Sequence, residues 1–429
     1  MTLGRASNRA GPGGRGLAFA GLVIAAIGLI LFALATLVIE LHPGAQLAHI
    51  TSMLAILVGA IATAAGAVVL AVAAMKTVWS RRHVVRGLAT LLTAVVLLGL
   101  VGYTTYVGTI GSSQLLRPTA IPDCRTPLDR YGWTYEAVNY DIADDARLRA
   151  ANPDMANCAN QGATAGNEVV TTDGVAIAGW YVPAANGAGP TATTVVLVHG
   201  WDANKSEVLK YAVPLHAAFN VVAFDLRGGG RSGSADTTFG LREQLDLKAA
   251  LDWLERTKHP AHIAVMGNSM GGGTAALLAA TDPRIEALVL DSTHAYVANI
   301  LVRRLEVDAG HPALPGMPAI LAGIWARTGL DLMAADPVGA IPAQGRRPLL
   351  LLHGGADIHD LPSVSVDVIE MAARAAGVPV EKHLCAGATH GVVVDTCATE
   401  WGQWIVGFLN RAVPGSTSER TASLAQLDK

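Results

Sequence analysis

The stretch HIAVMGNSMGGGTAALLAA, residues 262–280, decides the fold of this chain. Its first half is apolar, as in a strand buried on both faces, and its alanine-rich second half favours a helix. Ser269 stands at the junction, within a G-x-S-x-G pattern that runs from Gly267 to Gly271. A serine on a sharp strand-to-helix turn projects its hydroxyl above the sheet. The stretch therefore predicts an α/β architecture in which Ser269 is a nucleophile.

Other apolar runs follow the same plan along residues 167–413. Short runs rich in Val, Ile and Leu alternate there with segments that carry apolar residues at helical spacing. This alternation predicts a mostly parallel, doubly wound sheet with helices on both faces. Ligands bind beyond the carboxyl ends of such strands. We predict strands in TTVVLVHG, FNVVAFD, HIAVMG, EALVLDS, RPLLLLHG and PVEKHLCAG.

Several motifs stand in a fixed order around the serine. His199-Gly200 stands at the end of one predicted strand, and FDLRGGGRSG begins at the end of the next. The motifs LLHGGADIHDLP and CAGATHG come later in the chain, after GNSMG. Over about residues 168–411, the chain resembles the α/β-hydrolase superfamily, especially esterase-like and lysophospholipase-like members related to serine aminopeptidases and prolyl oligopeptidases. The resemblance implies an α/β-hydrolase fold with a short helical lid inserted at about 293–347. The alternative for this insert is that its helices only pack on the sheet.

The resemblance also implies a catalytic triad, in the chain order serine, acid, histidine. On this sequence, the order gives Ser269 as nucleophile, Asp357 as acid and His390 as base. Relatives usually have a proline about four residues after the acid, whereas here Pro362 lies five after Asp357. Asp360 and Asp291 therefore stay open as alternative acids.

An oxyanion hole is implied by the same resemblance. Its two donors are the backbone N–H groups of Met270, directly after the nucleophile, and of Trp201, in the loop after His199-Gly200. His199 and Gly200 order that loop, and Gly267 and Gly271 allow close approach of the backbone around the serine. No cofactor is implied, and no Cys or His spacing suggests a metal site.

The first quarter of the chain contains three long apolar runs, at 17–39, 53–75 and 88–110, which lack Asp, Glu, Lys and Arg. Each can cross a hydrocarbon core of about 30 Å as a helix. We therefore predict three transmembrane helices in a membrane domain at 17–110, rather than a cleaved signal peptide or buried core helices. Residues 1–16 form a cytoplasmic tail, residues 111–166 a linker or collar, and residues 414–429 a disordered tail.

The distribution of basic residues predicts the orientation in the membrane. Three arginines precede the first run and four Lys or Arg residues lie between the second and third, whereas the first connection has none. Because cytoplasmic flanks collect Lys and Arg, everything after about residue 111 is expected outside the cytoplasm. After residue 117, 23 basic and 33 acidic residues give a net charge of −10. Nucleic acid is therefore excluded as an expected partner, and the membrane lipids are contacted through the anchor.

All four cysteines follow the last apolar run. Because thiols oxidise outside the cytoplasm, this arrangement predicts disulfides, with buried free thiols as the alternative. Three pairings are open, and Cys124–Cys158 and Cys385–Cys397 close the shorter loops. The second pair would span the loop that carries His390.

These features together favour a membrane-anchored serine hydrolase that cleaves small-molecule or lipid carboxylic esters through an acyl-enzyme. The alternative enzyme is a serine peptidase of the prolyl-oligopeptidase or aminopeptidase type. A catalytically silent hydrolase-fold binding module is a third possibility, and the intact serine, histidine and acid candidates argue against it.

Overall fold

Eight strands form one sheet in the computed structural model of this chain, which describes Val23, Gly66, Val69 and residues 81–118, 125–138, 168–308 and 313–413. The strands lie in the spatial order β1-β2-β4-β3-β5-β6-β7-β8. Their bounds are β1 Glu136–Val138, β2 Gly179–Val182, β3 Thr194–Val198, β4 Asn220–Phe224, β5 Ile263–Asn268, β6 Ile285–Asp291, β7 Leu349–Gly354 and β8 Val380–Cys385.

The sheet is mostly parallel. Strand β2 runs antiparallel to β1 and β4, and every pair from β4 to β8 is parallel. Asn268 at the end of β5 is in register with Asp291 at the end of β6, and Gly354 is in register with Cys385. The predicted α/β class and parallel sheet are therefore confirmed, and the register brings the carboxyl ends of the strands to one edge.

Helices cover both faces of this sheet. Every residue of β3, β4 and β7 is buried, which explains why the sequence of these strands is continuously apolar. The helices of the described residues are α1 Arg81–Leu116, α2 Pro127–Tyr131, α3 Lys205–Ala212, α4 Glu243–Thr257, α5 Met270–Ala279, α6 Val297–Arg303, α7 Ala313–Thr328, α8 Pro337–Ala340, α9 Val366–Ala375, α10 Val393–Thr396 and α11 Ala398–Ala412.

Helix α1 contains the third predicted span but is longer than 88–110. Its segment Thr90–Leu116 has 27 residues and a mean hydropathy of 1.8, and no other helix of the described ranges is long and apolar enough to cross a membrane. The predicted spans 17–39 and 53–75 lie outside the described residues, apart from Val23, Gly66 and Val69. One of the three predicted spans is therefore seen as a long apolar helix, and the other two stay predictions.

The predicted linker at 111–166 is partly regular structure. Its first residues continue α1 to Leu116, because the apolar helical sequence does not stop at residue 110. A capping box between Thr126 and Asp129 starts α2, and β1 then adds an edge strand to the sheet. Residues 119–124 and 139–166 of the linker and the predicted tail 414–429 lie outside the described residues.

The chain divides into two compact units, one made of Met1–Ser113 with Leu314–Asp331 and the other of Gln114–Ala313 with Leu332–Lys429. The predicted lid insert at 293–347 therefore contributes to both units. Inside the first unit, α7 approaches α1 so closely that a Cβ atom on Gly323 would lie 2.4 Å from the carbonyl oxygen of Gly108. Small residues permit this contact between two apolar helices.

Candidate active site

Ser269 lies where strand β5 turns into helix α5. Its backbone has φ +52° and ψ −116°, a conformation that non-glycine residues rarely adopt and that is typical of strained functional sites. A Cβ atom on Gly271 would lie 2.2 Å from the carbonyl oxygen of Val198, and one on Gly267 would lie 2.4 Å from the backbone of Gly271. Only glycine at these two positions lets the start of α5 pack against β3 and β5.

His390 and Asp357 meet Ser269 at the carboxyl edge of the sheet. The hydroxyl oxygen of Ser269 lies 2.8 Å from Nε2 of His390, and Nδ1 of His390 lies 2.7 Å from Oδ2 of Asp357. An ionised carboxylate only accepts hydrogen bonds, so Nδ1 carries the proton and Nε2 is free to accept from the serine. The arrangement can therefore take a proton from the hydroxyl and hold it on the imidazole.

The carboxylate of Asp357 is bound on both oxygens. Its Oδ1 accepts from the backbone N–H groups of His359 and Asp360, each at 2.9 Å, while Oδ2 accepts from His390. Burial by itself would raise the pKa of Asp357, but the hydrogen bond and charge of His390 outweigh it, so the pKa is lowered. The group is ionised at neutral pH and can stabilise an imidazolium.

Asp291, the first alternative acid, is bound elsewhere. Its Oδ2 accepts from the indole N–H of Trp401 at 2.8 Å, and its Oδ1 accepts from the hydroxyl of Ser292 at 2.8 Å. Burial raises its pKa to about 6, although these hydrogen bonds oppose the shift. Ser292 also accepts the backbone N–H of Gly391 at 3.2 Å, so this cluster holds the residue that follows His390.

The sequence analysis missed Trp401 and Ser292. Trp401 has the spacing of an ordinary core residue on an amphipathic helix, and it is indeed fully buried. Ser292 had one usable signal, because it directly follows a parallel strand at the edge where site residues collect.

Among the described residues, the carboxyl group of Asp360, the second alternative acid, forms no hydrogen bond with His390, whose Nδ1 contacts Asp357 instead. Its backbone carbonyl oxygen lies 2.7 Å from Nε2 of the buried His353. Burial, followed by the negative charge of Asp357, raises the pKa of its carboxyl group to about 8. This group is thus largely protonated at neutral pH. Of the three aspartates considered, the structure brings Asp357 to His390.

Trp201 and Met270 carry the two backbone N–H groups expected in the oxyanion hole. In the part of the chain that is described, neither N–H donates to a protein acceptor. His199 fixes the preceding turn, because its Nδ1 donates to the carbonyl oxygen of Gly200 at 2.7 Å while its Nε2 accepts the N–H of Leu226 at 2.8 Å. Burial lowers the pKa of His199, which keeps the ring neutral in this bonding pattern.

A disulfide joins Cys385 to Cys397 across the segment that carries His390. Cys385 ends strand β8, and Cys397 lies between helices α10 and α11. The other predicted pair, Cys124–Cys158, lies outside the described residues. The sequence separation of 12 residues makes this bridge a local constraint on the loop of His390.

Other charged groups near the strand ends serve the fold. Asp225 pairs with Lys205 and accepts the N–H of Arg231 at 2.8 Å, which closes the turn after β4. Arg227 bridges Asp246 and Asp173 at 2.8 and 2.7 Å. Within the described ranges, no group of three or more His, Cys, Asp or Glu side chains is placed to hold a metal ion.

The sequence of this region is similar to that of known proteins. A family model described as alpha/beta hydrolase fold matches residues 193–317, which include Ser269 and the loop of Trp201. The fold is the α/β-hydrolase fold. The match ends before Asp357 and His390, so their arrangement rests on the structure alone.

Curated relatives of the α/β-hydrolase region are bacterial proteins. The uncharacterized protein YqkD of Bacillus subtilis is 29% identical over 171 residues, covering 39% of this chain and 56% of its own length. The uncharacterized protein Rv2307c of Mycobacterium tuberculosis is 36% identical over 200 residues, covering 45% of this chain and 62% of its own length. The chain thus spans less than two thirds of both relatives.

Solved structures support the same fold. The Pyrococcus furiosus esterase Pf2001 matches with a TM-score of 0.52 and 23% identity, covering 70% of this chain and 98% of that one. At this level of identity the likeness concerns the α/β-hydrolase fold and not the substrate.

Proposed function

We propose that this chain is a membrane-anchored serine hydrolase that cleaves carboxylic esters through an acyl-enzyme intermediate. The observation that carries the proposal is the continuous hydrogen-bonded chain Ser269–His390–Asp357, with distances of 2.8 and 2.7 Å. A serine, a base in contact with it and a third group that orients the base form the recurring geometry of nucleophilic catalysis.

In the proposed acylation, the Ser269 hydroxyl oxygen attacks the carbonyl carbon of the ester while its proton moves to Nε2 of His390. The carbonyl oxygen becomes an oxyanion, which accepts hydrogen bonds from the backbone N–H groups of Trp201 and Met270. Asp357 stabilises the imidazolium. When the tetrahedral intermediate collapses, the C–O bond breaks and Nε2 returns its proton to the departing alcohol.

In the proposed deacylation, water replaces the alcohol. Nε2 of His390 takes a proton from the water as its oxygen attacks the acyl carbon, and the same two N–H groups bind the second oxyanion. Collapse releases the carboxylic acid and returns the proton to the Ser269 oxygen. The cycle uses only side chains and backbone groups of this chain and one water molecule.

The membrane anchor is supported by the surface of helix α1. Its side chains Leu92, Val95 and Val96 are 66%, 56% and 60% exposed, which is unfavourable in water and favourable in lipid. With the arginine and lysine pattern around the apolar runs, we propose that the α/β-hydrolase domain lies on the extracytoplasmic side. An ester substrate that resides in or near the outer leaflet would then be within reach of the anchored enzyme.

Labelling with a fluorophosphonate probe tests the nucleophile. We expect the native chain to be labelled and Ser269→Ala to be unlabelled, with a fall in esterase kcat on the order of 10⁶-fold. Ser234→Ala, which alters an exposed serine of the same domain, is the matched control and keeps its labelling. A native chain that is folded but unlabelled would refute the proposed catalysis and favour a binding module.

A substrate panel tests the bond that is cleaved. p-Nitrophenyl acyl esters of increasing chain length are compared with aminoacyl and peptidyl p-nitroanilides at equal enzyme concentration. We expect kcat/KM to favour the esters. Faster cleavage of the amides would replace the esterase proposal with the peptidase alternative, while leaving the nucleophile in place.

Proteolysis of spheroplasts tests the topology. Protease added from outside should cut the α/β-hydrolase domain, while an intracellular marker protein stays intact. Protection of this domain until the membrane is permeabilised would contradict the proposed extracytoplasmic location.

A further inference from the structure

The side chain of Trp201 is held from two directions. Its indole N–H donates to the carbonyl oxygen of Leu115 at 2.8 Å, and the guanidinium carbon of Arg304 lies 4.7 Å from the ring centroid. Leu115 is in the last turn of α1, where carbonyl oxygens lack helical partners. Two segments that lie far from Trp201 in the sequence therefore fix the residue whose backbone N–H is the proposed oxyanion donor.

Arg303, the neighbour of Arg304, binds the segment that follows Asp357. Its Nε and Nη2 both donate to the carbonyl oxygen of Ile358, at 3.0 and 2.8 Å. Ile358 directly follows Asp357, whose carboxylate accepts the N–H groups of His359 and Asp360. Arg303 thus holds the turn that presents the proposed acid to His390.

Both arginines belong to the insert between β6 and β7. Arg303 ends helix α6, and Arg304 begins the following π-helical turn Arg304–Asp308. These two consecutive residues contact two different loops. Arg304 contacts the loop of Trp201, here called the oxyanion loop, and Arg303 contacts the loop of Asp357 and Ile358, here called the acid loop.

We propose that Arg303 and Arg304 are positioning residues through which the insert fixes the oxyanion loop and the acid loop in their catalytic arrangement. This inference rests on the proposed function, since it assigns a role in acyl transfer. Oxyanion donors and the acid act by geometry, and displacement of either by about 1 Å lowers the rate of the chemical step. The planar guanidinium suits both tasks, because it stacks on an aromatic ring and forks onto a carbonyl oxygen.

The Arg304 arm is tested with Arg304→Gln and Arg304→Lys in the full-length chain purified in detergent. Removal of the stacked guanidinium takes away one of the two contacts that hold the Trp201 ring. We therefore expect kcat for a p-nitrophenyl ester to fall about tenfold in Arg304→Gln while KM changes less than twofold. Arg304→Lys keeps a cation near the ring and should recover part of the lost rate. Fluorophosphonate labelling should slow in the same order.

The Arg303 arm is tested with Arg303→Gln and Arg303→Lys. We again expect a fall in kcat without a comparable change in KM, with partial recovery in Arg303→Lys, which can still donate to the Ile358 carbonyl. Arg346→Gln changes an exposed arginine in the same insert and is the matched control, expected to keep native kcat and KM.

Two results would overturn the inference. If the native chain labels and turns over ester while the Arg303 and Arg304 variants match Arg346→Gln, the positioning role is wrong and the proposed function stands. If the native chain neither labels nor hydrolyses ester, both fall together. Thermal melting verifies the fold of each variant, and the lysine variants carry the test if a glutamine variant does not fold.

Discussion

The indole N–H of Trp401 donates to the carboxylate of Asp291 at 2.8 Å and joins helix α11 to the end of strand β6. The other carboxylate oxygen binds Ser292, whose hydroxyl oxygen accepts the N–H of Gly391. The acid at the end of β6 therefore belongs to a structural cluster that binds Gly391, the residue after the proposed base in the sequence. The two aspartates near His390 have separate tasks.

Paired amide substitutions should separate these tasks. Asp357→Asn removes the charge that stabilises the His390 imidazolium, so we expect kcat to fall by on the order of 10⁴-fold. Asp291→Asn removes one hydrogen bond of a supporting cluster and should lower kcat about tenfold or less. Steady-state kinetics with one ester substrate measures both. Equal losses in the two variants, or a larger loss in Asp291→Asn, would move the acid to Asp291.

Removal of the Cys385–Cys397 disulfide should lower kcat at temperatures at which the sheet is still folded. The double variant Cys385→Ala/Cys397→Ala leaves no new free thiol and avoids reduction of any other bridge. It frees the loop of His390, so we expect kcat to fall several-fold at temperatures well below the melting transition. Loss of a bridge that closes a loop of about 15 residues costs about 3 kcal/mol of stability. Unchanged turnover in a folded double variant would contradict the constraint on the base.

The raised pKa of Asp360 should lower the free energy of unfolding as the pH rises. Its pKa is raised from 3.8 to about 8 in the folded chain, so the folded state keeps a proton that the unfolded state has lost between these values. This contribution is fully present below pH 3.8 and is lost as the pH rises toward 8, by up to about 1.4 kcal/mol per pH unit.

The test compares Asp360→Asn with the native chain by thermal melting at pH 5, 6, 7 and 8. The amide does not titrate, so the melting temperature of the variant relative to native should increase with pH. The pH-independent cost of a buried amide group cancels from this slope. A relative melting temperature that is flat, or that decreases with pH, would show that Asp360 is ionised in the folded chain.

Gly271 and Gly407 should respond in opposite directions to alanine. At Gly271 the new Cβ would lie 2.2 Å from a backbone oxygen of β3, so Gly271→Ala should displace the nucleophile turn and abolish activity or folding. At Gly407, inside α11, the new Cβ meets only the end of the Arg411 side chain at 3.3 Å. Gly407→Ala should then keep activity and gain about 0.5–1 kcal/mol in stability, as measured by denaturant unfolding.

The fold was predictable because strands inside the parallel sheet, such as β3, β4 and β7, are buried along their whole length. A strand such as TTVVLVHG must be continuously apolar in that position, and it appears as β3 within the predicted run. Helix α11, from 398 to 412, is one of the segments whose apolar residues recur at helical spacing. Strand β1 was missed because three residues at a sheet edge carry too little periodicity to be recognised.

The motifs and their order in the sequence predicted part of the candidate site. G-x-S-x-G between a strand and a helix pointed to Ser269, because only that local context exposes a serine hydroxyl. Motif order favoured Asp357 as the acid but left Asp360 and Asp291 open. Their contacts differ only in three dimensions, where Trp401 binds Asp291 and His390 binds Asp357.

The sequence by itself determined the α/β class, the nucleophile candidate and the apolar character of the first quarter, since these depend on local periodicity and on short motifs. The tertiary structure alone decided which carboxylate meets His390, where α1 ends, and that Arg303 and Arg304 reach the two loops beside the nucleophile. The physical reason is that such contacts join residues far apart in the chain. The distances between such residues depend on how the whole sheet packs, and a local sequence pattern carries no information about that packing.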